Sequence, residues 1–231
     1  MLTLITFPAN FGQLSLSPFC VKAIYFLNRS GQAWQREDCN DPRKTPHQKL
    51  PVLRTPDGLV HDSDRIRAYL ETQGAVFDGG LSVQDLAIAR AFQRLAEDHL
   101  YFLLVLDRWG RDEVWPTIRD TYFAEIPKLL RGPITGMLRR NLLKGLDAQG
   151  LGRLSWVERK EHAEQDLGAI SAQLGTSDFL LGQTVTSADL CVAPVLAAIA
   201  SSPIPTDLSC RVAQDVQLCN YIARVHSAAG C

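Results

Sequence analysis

One change of repeat decides what this chain can fold into. Up to Gly74, short apolar runs alternate with single helical patterns; beyond Gln84 only the helical period remains. An alternation of strand and helix predicts a small α/β layer, and the sustained three-to-four spacing after it predicts a helical bundle. The stretch between them, Gly74 to Gln84, carries three glycines and no period, and reads as the linker. Two domains are therefore expected, residues 1–76 and 83–231.

Within the first, Leu2 to Phe7 reads as a strand of β-branched and large apolar residues. A helix follows from Pro18 to about Asn28, and Gly31 ends it. Ala33 to Asp38 supplies a second strand, parallel to the first through that crossover helix. Val52–Arg54 and Leu59–His61 form a hairpin about Thr55-Pro56-Asp57-Gly58, where the proline and glycine suit a type I turn. Asp62-Ser63 then opens a helix with Ile66, Tyr69 and Leu70 inward and Gly74 past its end.

In the second, Leu86, Ala89, Phe92, Ala96, Leu100, Leu103 and Leu106 mark one long amphipathic helix. More helix follows from Thr117, interrupted at Pro127 and Pro133. The next has a charged face, with Val157, Leu167, Ile170 and Leu174 inward, and the most apolar helix runs through Ala188 to Ala200. Its start, Thr186-Ser-Ala-Asp189, is a capping box in acidic form and a folding signal.

Charge narrows the partners. Twenty-four basic and 25 acidic residues leave a net charge of −1, so no global field favours nucleic acid. No apolar stretch approaches the ~20 residues that span a bilayer. The N-terminus lacks a basic segment before its apolar run, which argues against a secretory signal. Six scattered cysteines show no metal-ligand spacing and read as reduced thiols of a cytoplasmic protein.

Three stretches carry chemistry. Ser17-Pro18-Phe19-Cys20 has the form of a C-x-x-C redox motif whose first sulfur is replaced by a hydroxyl. It also reads as a plain helix cap, since Pro18 suits the first helical turn. Cys20, three residues into the helix, is a candidate small core residue. Lys49-Leu50-Pro51-Val52-Leu53 can hold a cis X-Pro bond or an ordinary proline entering an edge strand. Asp62-Ser63 places a carboxylate and a hydroxyl at a helix start, suited to an amino acid's ammonium and carboxylate, or to capping alone.

In this order, S-P-F-C, K-L-P-V-L, D-G-L-V-H-D-S-D-R-I-x-x-Y-L-E and F-L-L-G-Q-T-V-T-S-A-D-L resemble the glutathione S-transferases over essentially the whole chain. The details of SPFCVKAIYFL, KLPVL and GLGRLSWVE are similar to the metaxin-like bacterial branch. The resemblance implies a thioredoxin-like N-terminal domain plus an all-α domain, often paired as a homodimer. It implies glutathione as cosubstrate and a small electrophile lodged between the domains. Leu50, before Pro51, would hold the cysteinyl backbone, Asp62 and Ser63 the γ-glutamyl end, and Lys49 a carboxylate or backbone group of the peptide. Ser17 would face the sulfur and stabilise its thiolate, with detoxification as the implied purpose. No tyrosine stands at the end of the first strand, where several classes keep that donor; Phe7 and Pro8 are there. Ser15 is a rival to Ser17. A non-catalytic interaction module and thiol transfer through Cys20 stand as alternatives. Trp109, Trp115, Tyr122 and Phe123 read as pocket lining or as core.

Overall fold

The computed structural model describes residues 1–231. Four strands form one mixed sheet: β1 (Leu2–Thr6), β2 (Trp34–Asp38), β3 (Val52–Thr55) and β4 (Gly58–His61), in spatial order β2-β1-β3-β4. β1 and β2 are parallel, with Leu4 opposite Arg36, because α1 (Pro18–Arg29) makes the crossover. β1 and β3 are antiparallel, and β3 turns back into β4 through the Pro56-Asp57 hairpin. α2 (Ser63–Thr72) closes this layer. Gly31 and Gly74 take φ of 71° and 95°, left-handed values that end α1 and α2 as their positions required.

The rest is helical: α3 (Val83–Arg94), α4 (Tyr101–Gly110), α5 (Trp115–Tyr122), α6 (Lys128–Gln149), α7 (Trp156–Leu174), α8 (Ser187–Ala200), α9 (Asp207–Ala213) and α10 (Val216–Ala228). A thioredoxin-like layer followed by an all-α region is the architecture expected. Both regions share one continuous core, in which Val21, Ile24 and Phe26 of α1 meet the almost fully buried α8. The capping box forms: the Asp189 carboxylate accepts from the Thr186 N–H and hydroxyl, each at 2.8 Å. Its other oxygen accepts from the Leu180 N–H and the Tyr221 hydroxyl, so one acid ties three segments together beneath α8.

Several expectations need correction. The long helix is not one α-helix: a π-helical turn, Leu95–Leu100, separates α3 from α4. Leu86, assigned to the buried stripe, is largely exposed. Pro133 does not end α6 but lies inside it, at the sixth residue, where the bond to the Leu129 carbonyl is lost and the helix continues to Gln149. Val157 is 67% exposed rather than inward, since it follows the N-cap of α7 where the first turn overhangs solvent. α9 and α10 were missed; each is capped by its own residue, Thr206 or Asp215.

Ion pairs join the layers where apolar packing would leave the helices free to slide. Lys22 of α1 has 1% of its side chain exposed. Its Nζ lies 2.6 Å from Glu97 Oε1 of the π-helical turn and pairs with Asp64 of α2. Arg94 pairs with Glu97 and reaches Asp64 at 3.3 Å. The π-helical turn shifts Glu97 relative to a regular helix, and these pairs are what it presents to α1.

Candidate functional site

α1 begins where the loop after β1 meets the helical region at Tyr122. Its N-cap is Ser17, in extended conformation with φ −111° and ψ 126°, and Pro18 opens the helix. The Ser17 hydroxyl makes no capping bond, and the one group it approaches is the Cys20 thiol. A serine at an N-cap ordinarily spends its oxygen on the helix amides. Here that oxygen is left free, half-exposed, at the positive end of the helix dipole.

Its rivals are differently placed. Ser15 is buried; its hydroxyl donates to the Phe7 carbonyl at 2.9 Å and accepts from Thr6 Oγ1 at 3.2 Å and from the Ser17 N–H at 3.4 Å. Cys20 is fully buried among Ile5, Leu50 and Val52. Burial pushes its thiol above the ordinary value, and hydrogen bonding from Thr6, the Phe7 backbone, Ser15 and Ser17 only partly opposes this. A thiol so placed is inert rather than nucleophilic.

The loop before α1 is pinned from outside. Arg36 of β2 donates to the carbonyls of Leu14 at 2.8 Å and Phe7 at 3.0 Å. From the helical region, the Tyr122 hydroxyl donates to the Leu16 carbonyl at 3.3 Å and accepts from Arg108 at 2.9 Å. Arg108 is buried and also donates to the Ala198 carbonyl at 2.6 Å. Sequence reasoning missed both: Arg36 is one of several exposed charges on β2, and a lone arginine in an amphipathic pattern gives no sign that it turns inward as Arg108 does. Trp109, Trp115, Tyr122 and Phe123 form one aromatic cluster, which Phe11 joins from the loop before α1, 6.4 Å from Tyr122. Trp115 is core, whereas Trp109, Tyr122 and Phe123 remain half-buried towards the loop.

In the loop that leads into β3, at the end of the sheet rather than along its edge strands, the Leu50–Pro51 bond is cis. Leu50's own N–H and C=O have no partner in the protein, although its side chain is buried. Lys49 is exposed, with its carbonyl held by the Thr45 hydroxyl at 2.9 Å and its ammonium unpaired. His47 and His61 meet at 2.8 Å beside this loop.

Asp62 closes the arrangement. It sits at φ 77° and ψ 134°, a conformation that costs a non-glycine residue on the order of 1–3 kcal/mol. From there Oδ1 accepts from the Asp64 and Arg65 N–H groups at 2.8 and 3.3 Å, capping α2. Oδ2 is unengaged, so capping and ligand binding, read as alternatives from sequence, use different oxygens. Ser63 is buried except for a hydroxyl that has no partner. Five polar groups of the sheet layer thus lack a backbone or capping partner: the Ser17 hydroxyl, the Leu50 N–H and C=O, one Asp62 oxygen and the Ser63 hydroxyl.

Residues 18–114 match the family described as the glutathione S-transferase N-terminal domain. The isoprene-epoxide–glutathione S-transferase of Rhodococcus sp. (strain AD45) is 31% identical over 97% of this chain and 98% of its own length. Metaxin-1 of Mus musculus is 26% identical over 72% of this chain and 55% of its own. Among solved structures, the β-etherase LigF from Sphingobium sp. strain SYK-6 superposes with a TM-score of 0.66 at 16% identity, over 98% of this chain and 95% of that one. At that identity the likeness speaks for the fold alone. The near-complete match to the Rhodococcus enzyme goes further, and the chain belongs to the glutathione S-transferase superfamily, with metaxins among its relatives.

Proposed function

We propose that this protein binds glutathione on the sheet layer and activates its thiol, through Ser17, for attack on a small electrophile. The observation that carries the reading is the free Ser17 hydroxyl at the N-terminus of α1, beside a Ser15 that is fully occupied and a Cys20 that is sealed.

Each unsatisfied group has a task in this reading. The Leu50 N–H and C=O hold the cysteinyl backbone as an added strand would, next to Pro51. The free Asp62 oxygen takes the γ-glutamyl ammonium, and the Ser63 hydroxyl takes its carboxylate. Lys49 reaches for a carboxylate at the other end. Ser17 donates to the sulfur. A thiolate reacts where a thiol does not, and a hydrogen bond to a charged group is worth ~1.5–3 kcal/mol. The helix terminus adds ~0.3–1 kcal/mol, so together they lower a thiol pKa by about one to three units. The sulfur lone pair then forms the bond to carbon while the electrophile's leaving atom takes the electrons and is protonated by water.

The Rhodococcus relative is named for an epoxide, which makes a small epoxide the first electrophile to try. In an epoxide the ring C–O bond breaks and its oxygen becomes a hydroxyl, so no group is lost. The half-buried faces of Trp109, Tyr122 and Phe123 would receive its apolar part. Six free thiols fit a reducing cytoplasm, and a homodimer with a detoxifying role is carried over from the family as part of the proposal. The test is calorimetric titration with glutathione, followed by turnover of a small aliphatic epoxide. Saturable binding with Ser17-dependent turnover supports the reading; absence of binding at millimolar glutathione overturns it.

A second reading, a metaxin-like interaction module without catalysis, draws on the 26% identity to Metaxin-1. It expects no turnover even where glutathione binds. Thiol transfer through Cys20 is disfavoured by that residue's complete burial.

A further inference from the structure

α6 is built inside out. Its inward side includes two arginines: Arg139 donates to the Trp109 and Gly110 carbonyls at 2.6 and 3.0 Å, and Arg131 to those of Ala124 and Ile126 at 2.7 and 3.0 Å. Its outward side, over the first three turns, is apolar. Leu129 is 92% exposed, and Leu130, Ile134, Met137 and Leu138 are exposed with it. Steps of four and three place Leu130, Ile134 and Met137 on one stripe with Leu138 at its margin, and Arg139 and the buried Thr135 and Leu146 on the far side fix that stripe towards solvent. A contiguous apolar surface of this kind on a soluble fold marks an interaction site.

Its charges identify the occupant. From Lys128 to Leu146 the helix contains no acidic residue. Lys128, Arg140 and Lys144 have no ion-pair partner, and Arg140 and Lys144 continue the line of Pro133 and Met137 at steps of three and four. α6 is net +4 in a chain of net −1, so the remainder is net −5. A second copy of this helix would bring cation onto cation in either direction of pairing. Crossing a bilayer is excluded, since no helix is long and apolar enough. An exposed apolar stripe continued by unpaired cations is the arrangement of a helix that lies in a membrane surface, its leucines among the acyl chains and its lysines and arginines at the headgroups.

We propose that α6 is a docking surface for an anionic phospholipid bilayer, with Leu129, Leu130, Ile134 and Met137 inserted and Lys128, Arg140 and Lys144 at the phosphates. This surface uses none of the groups assigned to glutathione, so the two proposals stand or fall separately.

The experiment is co-sedimentation of the full chain with vesicles of phosphatidylcholine alone and of phosphatidylcholine mixed with phosphatidylserine, at low and high salt. Binding to the mixed vesicles, weakened by salt, is expected. Reversing Arg140 and Lys144 to glutamate should lower the partition coefficient about fivefold or more per residue. Met137→Asp with Leu130→Asp should reduce it to background while the circular dichroism spectrum is unchanged. The salt and lipid series on the unmodified protein test the proposal even if a variant misfolds. Absence of binding to the mixed vesicles, or equal binding to phosphatidylcholine alone, overturns it. So does a lipid-free dimer, in sedimentation velocity, that Met137→Asp dissociates, because the face then belongs to a second copy.

Discussion

The Ser17 N–H donates to Ser15 Oγ at 3.4 Å, so a buried serine positions the backbone of a half-buried one. Two hydroxyls two residues apart have opposite states, one fully engaged and one free. Ser15→Ala removes buried hydrogen bonds to Thr6, Phe7 and Ser17 and should destabilise the fold by about 1–3 kcal/mol in urea unfolding. Ser17→Ala should leave stability within ~0.5 kcal/mol while lowering kcat/KM for glutathione conjugation about 10–100-fold. The reverse pattern would transfer the donor role to Ser15.

Asp62 caps α2 with one oxygen and is proposed to hold glutathione with the other, and amide substitution separates the two. Asp62→Asn keeps an oxygen for the Asp64 and Arg65 amides, so the melting temperature should change little. It removes the charge opposite the γ-glutamyl ammonium, and the KM for glutathione should rise about tenfold. Asp62→Ala loses both functions and should also destabilise by ~1 kcal/mol. Equal KM values for wild type and Asp62→Asn, measured at saturating electrophile, would remove Asp62 from the peptide site.

Lys22 neutralises a buried Glu97. Lys22→Met leaves that carboxylate with Arg94 alone and should destabilise the chain by about 3 kcal/mol in denaturant unfolding. Adding Glu97→Gln should recover part of the loss, since the uncompensated charge disappears with it. If the two changes are simply additive, the pair is not coupled.

Cys191 is fully buried in α8, and burial pushes its thiol from 9.0 to about 12. The unfolded chain therefore releases this proton at lower pH than the folded one. Between pH of about 9 and about 12 the folded state binds more protons, so stability falls as pH rises, by up to ~1.4 kcal/mol per pH unit from this group. Unfolding curves of wild type and Cys191→Ala should converge across that window, the variant lacking this slope. Alkylation of the native protein should likewise spare Cys20 and Cys191 and reach exposed Cys231 first.

The sheet layer was legible because each element carried its own boundary: β-branched runs, Pro18 and Gly31 around α1, and Gly74 after α2. The residues proposed to hold the peptide, Leu50, Pro51, Asp62 and Ser63, lie in short continuous motifs, and this is why the sequence singles them out. Ranking Ser17, Ser15 and Cys20 was not, because all three suit the same helix start. Only the contacts of Thr6, Phe7 and Val52, from other strands, distinguish them. Lys22 sits among apolar neighbours with no sign that Glu97, 75 residues on, would meet it. The π-helical turn leaves the spacing of Ala96, Leu100 and Leu103 intact and so hides within a regular stripe. α9 was missed although Thr206 and Ser209 cap it, because seven residues show little period; α10 was legible and passed over, since Asp215 caps it and Leu218, Tyr221 and Val225 recur at steps of three and four.

The most direct test of the central proposal is the pKa of the glutathione thiol on the protein, followed through the ultraviolet absorbance of its thiolate in wild type and Ser17→Ala. A bound thiol titrating at least about one unit below the free one, and returning upward by a comparable amount in Ser17→Ala with glutathione still bound, is the expected result. A bound thiol with an unshifted pKa, or a shift that survives Ser17→Ala intact, would contradict the role given to Ser17.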